Sequence, residues 1–217
     1  MSTPGPLSVP DAIRVRRTTK KFKPDPIPEA TLKELIALTL AAPSSFNMQA
    51  WRVVVIDDPA QKAALAKASW NQPQLVTAPV TFVFAASIRG WEKTFSQTIQ
   101  TALELNAWTQ KTADYFWTSV PGFQNGLGDK QREYAIKDAM IAATHCALAA
   151  ESLGLNSCFM NGWQEDAVKE IIGAKDDPDI AIALLLPVGY VDLAYVFAGR
   201  LPEETTVFRN RLTPAAD

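Results

Sequence analysis

The chain has 217 residues, 47% of them hydrophobic, with a formal net charge of −2 and a sequence pI of about 5.5. That length suits one domain with room for an insertion, and that composition can fill a core. The slightly acidic balance argues against a broad nucleic-acid face, and the longest apolar stretch, Ile180 to Val191, is too short for a membrane span and contains Pro187 and Gly189.

Met1 to Pro10 is polar and proline-rich, without a basic segment leading into an apolar one, so no secretory leader is read there and a soluble cytoplasmic protein is expected. Ser8, Pro10 and Asp11 have the chemistry of a helix start. A basic run follows, and then Pro24, Pro26 and Pro28 interrupt the chain. Pro28 suits the first turn of a helix over Glu29–Ala41, whose Leu32, Leu35, Ile36 and Leu40 recur at helical spacing. A polar loop, Pro43 to Gln49, leads into WRVVVID (51–57), a buried strand. Pro59 to Ser69 reads as a short helix, and VTFVFAA (80–86) as a second strand.

Residues 88–128 are expected to be a helical insertion, because the rings Trp91, Phe95, Trp108, Tyr115, Phe116, Trp117 and Phe123 are set among mixed polar residues. Lys130 to Leu153 is a long alanine-rich helix closed by Gly154, and its small side chains suit close approach by a second helix. Leu155 to Met160 is strand-like, Gln164 to Ile172 a short helix, and IAIALLL (180–186) a third buried strand. From about 192 to 217 the tail has few packing signals of its own. Strands and helices in this order give a layered fold.

The two cysteines, Cys146 and Cys158, form no CxxC pair and read as buried free thiols. The single histidine, His145, reads as a helix residue with a satisfied hydrogen bond, and no metal site is expected. No G-x-S-x-G elbow accompanies it. No G-x-G-x-x-G follows a strand, so a separate nicotinamide domain is not expected.

Two segments carry chemistry. In RVRRTTKKFK (14–23) six of ten residues are basic within a net-negative chain. Such a run serves as a solvated helix end, as a nucleic-acid arm or as an anion clamp. Arginine forks and threonine hydroxyls suit phosphate oxygens. In PSSFNMQAW (43–51) small and amide side chains gather at one end of a sheet, where ligands of layered folds commonly sit.

Together these segments resemble the opening R-R-S-x-R/K-x-F and the P-S-x-x-N-x-Q-P-W loop of the nitroreductase family of flavoproteins, with Ala50 where proline is usual. WNQPQLVTAP (70–79), FMNGW (159–163) and AGRLPEET (198–205) stand in the family's order. The resemblance implies an α+β fold: a three-layer α/β/α sandwich with a central, mainly antiparallel sheet. One FMN-binding domain over 1–217 would carry the insertion and a dimer-embracing tail.

The resemblance also implies the site. Arg16, Arg17 and Thr18, with Arg200, would hold the FMN phosphate and ribityl chain. Lys20 would sit near the flavin N1/O2 edge, where a cation favours reduced flavin. Asn71 and Gln74 would meet the pyrimidine edge. Pro43, Ser44, Ser45 and Asn47 would come from the partner subunit of a homodimer. Met160, Asn161 and Gly162 would lie beside N5, with Asn161 where better-known members carry glutamate. Trp117 and Phe123 are the ring candidates for the pocket roof. The activity implied is a ping-pong reduction of nitroaromatic, quinone or similar small acceptors, with NAD(P)H as donor. The alternative is an FMN binder of the same fold that stores or dismantles flavin.

Overall fold

The computed structural model describes residues 5–192 and 195–212. In chain order the elements are α1 (Val9–Val15), α2 (Glu29–Leu40), β1 (Trp51–Ile56), α3 (Pro59–Ala68), α4 (Gln74–Thr77), β2 (Val80–Ser87), α5 (Trp91–Glu104), α6 (Gln110–Gly126), α7 (Gln131–Ser152), β3 (Asn156–Ser157), α8 (Glu165–Ile171), β4 (Ile180–Gly189) and α9 (Glu203–Thr206). Among the described residues the four strands form one antiparallel sheet in the order β1-β2-β4-β3.

Alternation along the strands divides the core into two layers. Val80, Phe82, Phe84 and Ala86 point to one face, with Leu184, Leu186 and Val188 beside them, and meet α2 and α7. Val83, Ala85, Ile182 and Leu185 point to the other, against Leu65 of α3, Leu75 of α4 and Val168 of α8. The sheet is thus the middle of three layers, as expected. A bulge between Phe84 and Ala85 shifts the pairing, so Phe84 faces Leu184 while Ala85 faces Ile182. Strand β4 runs past Pro187, whose carbonyl accepts the Cys158 N–H at 3.1 Å.

The small side chains of helix α7 admit a second helix, α2, as expected, and also the sheet. Ala135, Ala139, Ala142, Ala143, Ala147 and Ala150 are buried within the chain, packed over the large side chains of β2 and β4 and against α2. Small residues let this helix lie close over Phe82, Phe84, Leu184 and Leu186. Gly154 takes a φ of +78° just beyond the helix, as a capping glycine does.

Ser8 caps α1 by accepting the Asp11 N–H. The insertion is helical, over Trp91–Glu104 and Gln110–Gly126, and six of its rings pack on one another or on Phe46. Both cysteines are buried and free, and burial pushes the Cys146 thiol up to about 12. His145 is half-buried, and no side-chain hydrogen bond ties it to another described residue. No helix among the described residues is long and apolar enough to cross a membrane. The tail expected over 192–217 is described for residue 192 and from 195 to 212; residues 193, 194 and 213–217 of that expectation lie outside the described residues.

Candidate functional site

The basic run leaves α1 at Arg16, whose N–H still closes on Ala12 at 2.9 Å, and continues along the edge of the sheet. Thr18 pairs with Ser157 in a parallel bridge, and the Thr19 N–H donates to the Ser157 carbonyl at 3.1 Å. This anchors the run beside residues 156–160. The Arg16 guanidinium lies over the Phe159 ring at 5.8 Å, and its Nη1 is buried without a hydrogen-bond partner. Arg17 bonds the carbonyls of Arg14 and Arg16 and stacks on Phe197 at 4.6 Å; Arg200 lies at 4.9 Å from the same ring. Arg17 and Arg200, far apart in sequence, therefore flank one aromatic.

Among the described residues, none of Arg16, Arg17, Lys20 and Arg200 forms an ion pair, whereas neighbouring Arg14 and Lys21 pair with Asp11 and Asp192. The buried acid nearby is Glu151. Burial raises its carboxyl, and the Arg16 and Arg17 charges pull it back down. Burial likewise raises the Cys158 thiol, against the pull of Lys20 and Arg16. An unpaired donor inside a cluster of cations is the chemistry of an anion seat.

Met160 bridges to Leu185 on β4, and this fixes Asn161 and Gly162 at the end of the sheet. A Cβ on Gly162 would come within 2.9 Å of the Trp70 ring and 3.9 Å of the Gln72 amide, so the 70–72 and 160–162 segments are neighbours. Trp70 and Asn71 both take left-handed φ, 55° and 57°, where α3 ends with the Asn71 N–H on the Ala66 carbonyl. Asn71 is exposed there. Gln74 is turned inward: it is buried on α4, and its amide donates to Gln72 Oε1 at 2.9 Å. Sequence reading missed Gln72 and Trp70, whose positions depend on this left-handed turn. A tryptophan directly before the amides was the available signal.

The loop 43–49 is a second centre. Phe46, Asn47 and Gln49 take φ of 51°, 53° and 50°. Ser44 holds the curl, its Oγ accepting the Gln49 N–H at 2.9 Å and its carbonyl the Asn47 N–H at 3.1 Å. Ser45 donates its N–H to Asp138 Oδ1 of α7 at 3.3 Å. The Phe46 ring meets Phe116 and Phe123 edge-on at 5.5 and 5.6 Å. Phe123 also meets Tyr134, while Trp117 stacks on Phe95 at 6.5 Å. Both candidate roof rings are largely exposed and stand on the loop's side of the molecule. Pro43 begins this loop and is exposed.

Among the described residues, no hydrogen bond, ion pair or ring contact joins the loop to residues 16–20. One chain thus presents two separate centres: a cationic clamp with Met160–Gly162, and a curled polar loop with aromatic support. A groove of about 920 Å³ runs along β1 and is lined by Asn47, Gln49, Arg52 and Lys93 among others; it touches the loop and none of the clamp residues.

The three-layer sandwich recurs among known proteins. The model of the nitroreductase family matches residues 13–190, and the chain belongs to that family. It is similar to a Thermus thermophilus protein named NADH dehydrogenase, 30% identical over 203 residues, 93% of this chain and 95% of that protein. A Bacillus subtilis relative named NAD(P)H nitroreductase MhqN is 24% identical over 177 residues, 80% of this chain and 85% of that one. In fold it superposes on a nitroreductase from Exiguobacterium sibiricum solved in complex with FMN, with a TM-score of 0.87 at 22% identity, covering 95% of this chain and 99% of that one. The chain is an oxidoreductase of nitroreductase fold.

Proposed function

We propose that this protein is an FMN-dependent NAD(P)H oxidoreductase that reduces small nitroaromatic, quinone-like or similar acceptors as a homodimer with two shared sites. The observation that carries this reading is the buried, unpartnered Nη1 of Arg16 within a cluster of cations that no described carboxylate pairs. A dianionic phosphate of a flavin nucleotide supplies the missing acceptor. The relatives named for NADH or NAD(P)H chemistry, and the FMN in a neighbour of the same fold, support the identity of cofactor and donor.

In this reading Arg16, Arg17, Thr18 and Arg200 hold the phosphate end. Lys20 places a positive charge near the flavin N1/O2 edge, and Asn71 offers its amide to the pyrimidine. Gln72 takes the place first expected of Gln74. Met160, Asn161 and Gly162 would lie beside N5, with the Gly162 backbone N–H as the available donor. Pro43, Ser44, Ser45 and Asn47 of the partner subunit line the other side, with Phe123 and Trp117 as candidate roof rings.

Bound FMN supplies the two-electron chemistry, accepting hydride from the nicotinamide and returning the electrons to the acceptor. The protein binds, orients and excludes water. Val196, Phe197, Leu201, Val207 and Phe208 of the tail are exposed in one chain. A second copy that covers them stabilises by roughly 1.5–3 kcal/mol for each such side chain buried.

The test is a yellow purified protein whose flavin absorbance bleaches under NADH or NADPH without air and returns when a nitroarene or quinone is added. Protein that binds FMN yet does not bleach with either nucleotide would make it a flavin carrier. Protein that binds no FMN would overturn the reading.

A further inference from the structure

The loop 43–49 is an unfavourable conformation for its sequence. Three of its residues, Phe46, Asn47 and Gln49, sit at left-handed φ, and none is glycine. L side chains other than asparagine and aspartate resist that region, so it persists where surroundings hold it. Most of the loop's hydrogen bonds are internal, from Asn47 and Gln49 to Ser44 and from Met48 to Ser45. The backbone N–H that reaches out of it belongs to Ser45, and its acceptor is Asp138, 93 residues away.

Asp138 is itself hard to explain by packing. It is 3% exposed, on the face of α7 where Ala135, Ala139 and Ala142 fill the neighbouring positions. A carboxyl in such a place loses its hydration and is worth keeping only for what it binds. Its Oδ2 is buried without a partner. The same is true of the indole Nε1 of Trp91, at the start of α5, and both side chains line one small cavity of about 10 Å³ together with Met48, Gln124 and Tyr134. Met48, from the loop, accepts the Gln124 amide at its sulfur at 3.6 Å.

We propose that Asp138 is the positioning residue of the flavin-lining loop: one carboxyl oxygen fixes the Ser45 N–H, while the other faces the small cavity that Trp91, in the first turn of the aromatic insertion, also lines. The assignment of the loop to a flavin rests on the function proposed above; the anchoring of the loop does not. Acceptor geometry is what this role needs, so an amide in place of the carboxyl preserves it. Asparagine keeps an oxygen for Ser45 at the same reach, while alanine leaves the N–H unpaired. Ser45→Pro removes the donor and leaves α7 untouched, and Ser44, at φ −143° and ψ 161°, already has the extended backbone that a following proline requires.

The experiment is hydrogen exchange by mass spectrometry on the flavin-free protein, for wild type, Asp138→Asn, Asp138→Ala and Ser45→Pro, followed by FMN titration of each. Exchange over residues 46–50 should quicken about tenfold in Asp138→Ala and Ser45→Pro and stay within about twofold of wild type in Asp138→Asn. FMN dissociation constants should follow the same order. If Asp138→Ala is too unstable to purify, Ser45→Pro carries the comparison alone. Unchanged exchange in the variants that fold would overturn the anchor. Loose exchange with unchanged FMN affinity would overturn its link to the cofactor. A wild type that binds no FMN would remove the flavin reading, while the exchange result would still judge the anchor.

Discussion

Residues 16–20 and residues 43–49 face the same proposed ligand and are held in place by different means. The clamp is a strand-like run pinned by backbone pairing to Ser157, and its character is charge. The loop is uncharged, curled through left-handed residues and held by one buried carboxyl and a set of rings. Charge acts at a distance and tolerates small displacements, whereas a curled loop is useful only in one shape. The clamp should therefore govern how tightly flavin binds, and the loop how well the pocket is shaped.

The sharpest way to break that comparison is to remove what would bring the halves together. Truncation before Tyr195 deletes Arg200 and the exposed apolar side chains of the tail at once. It should yield unstable protein without FMN. Sedimentation of the intact chain should show a dimer that dilution does not split into folded monomers. A stable, flavin-loaded monomer would end the shared-site account.

Next in size is Arg16→Ala. A charge-assisted bond to phosphate contributes roughly 1.5–3 kcal/mol, so FMN affinity should drop on the order of ten- to a hundredfold while the fold survives. Equal FMN retention by titration would show that the basic run is only a solvated surface. A kinetic test then asks whether both halves build a single pocket. If donor and acceptor share it, double-reciprocal plots at several acceptor concentrations should be parallel; intersecting lines would point to two separate seats.

The smallest effect concerns pH. Burial raises both Asp138 and Glu151 above their ordinary values. A carboxyl raised in the folded state holds its proton more tightly there than in the unfolded chain. Its contribution to stability is full below the ordinary carboxylate range, near pH 4, and is lost as pH rises through the folded value. As pH climbs from about 4 toward neutrality, the denaturation midpoint of wild type should therefore fall relative to that of Asp138→Asn. A slope identical in wild type and variant would mean that Asp138 titrates as if in water.

The two halves also differed in how readily they could be read. The strands were legible because WRVVVI, VTFVFAA and IAIALLL are dense in apolar and β-branched residues, with turn signals around them. The clamp was legible because charge is written directly in the residue types. The alanines of α7 signalled close approach without naming the neighbour; here it is the chain's own α2 together with Phe82 and Phe84. The roles of Gln72, Trp70 and Asp138 were not legible. The first two depend on a left-handed turn at the end of α3, and the third on a contact across 93 residues. The tryptophan before the amides was the one local signal, and the Asp138 contact leaves none.

The bulge in the central sheet has a consequence for how this chain can vary in length. Ala183 is the extra residue of β4: Ala85 pairs with Ile182 and Phe84 with Leu184, while Ala183 and Leu184 both lie in the layer under α7. Removing Ala183 would join Ile182 to Leu184 with each still on its present side. Removing any one residue from Leu185 to Val188 would exchange inside for outside along the rest of the strand. A buried strand is ordinarily the last place to tolerate a one-residue deletion, and this one contains two adjacent positions, Ala183 and Leu184, where removing either leaves every remaining side chain facing as before.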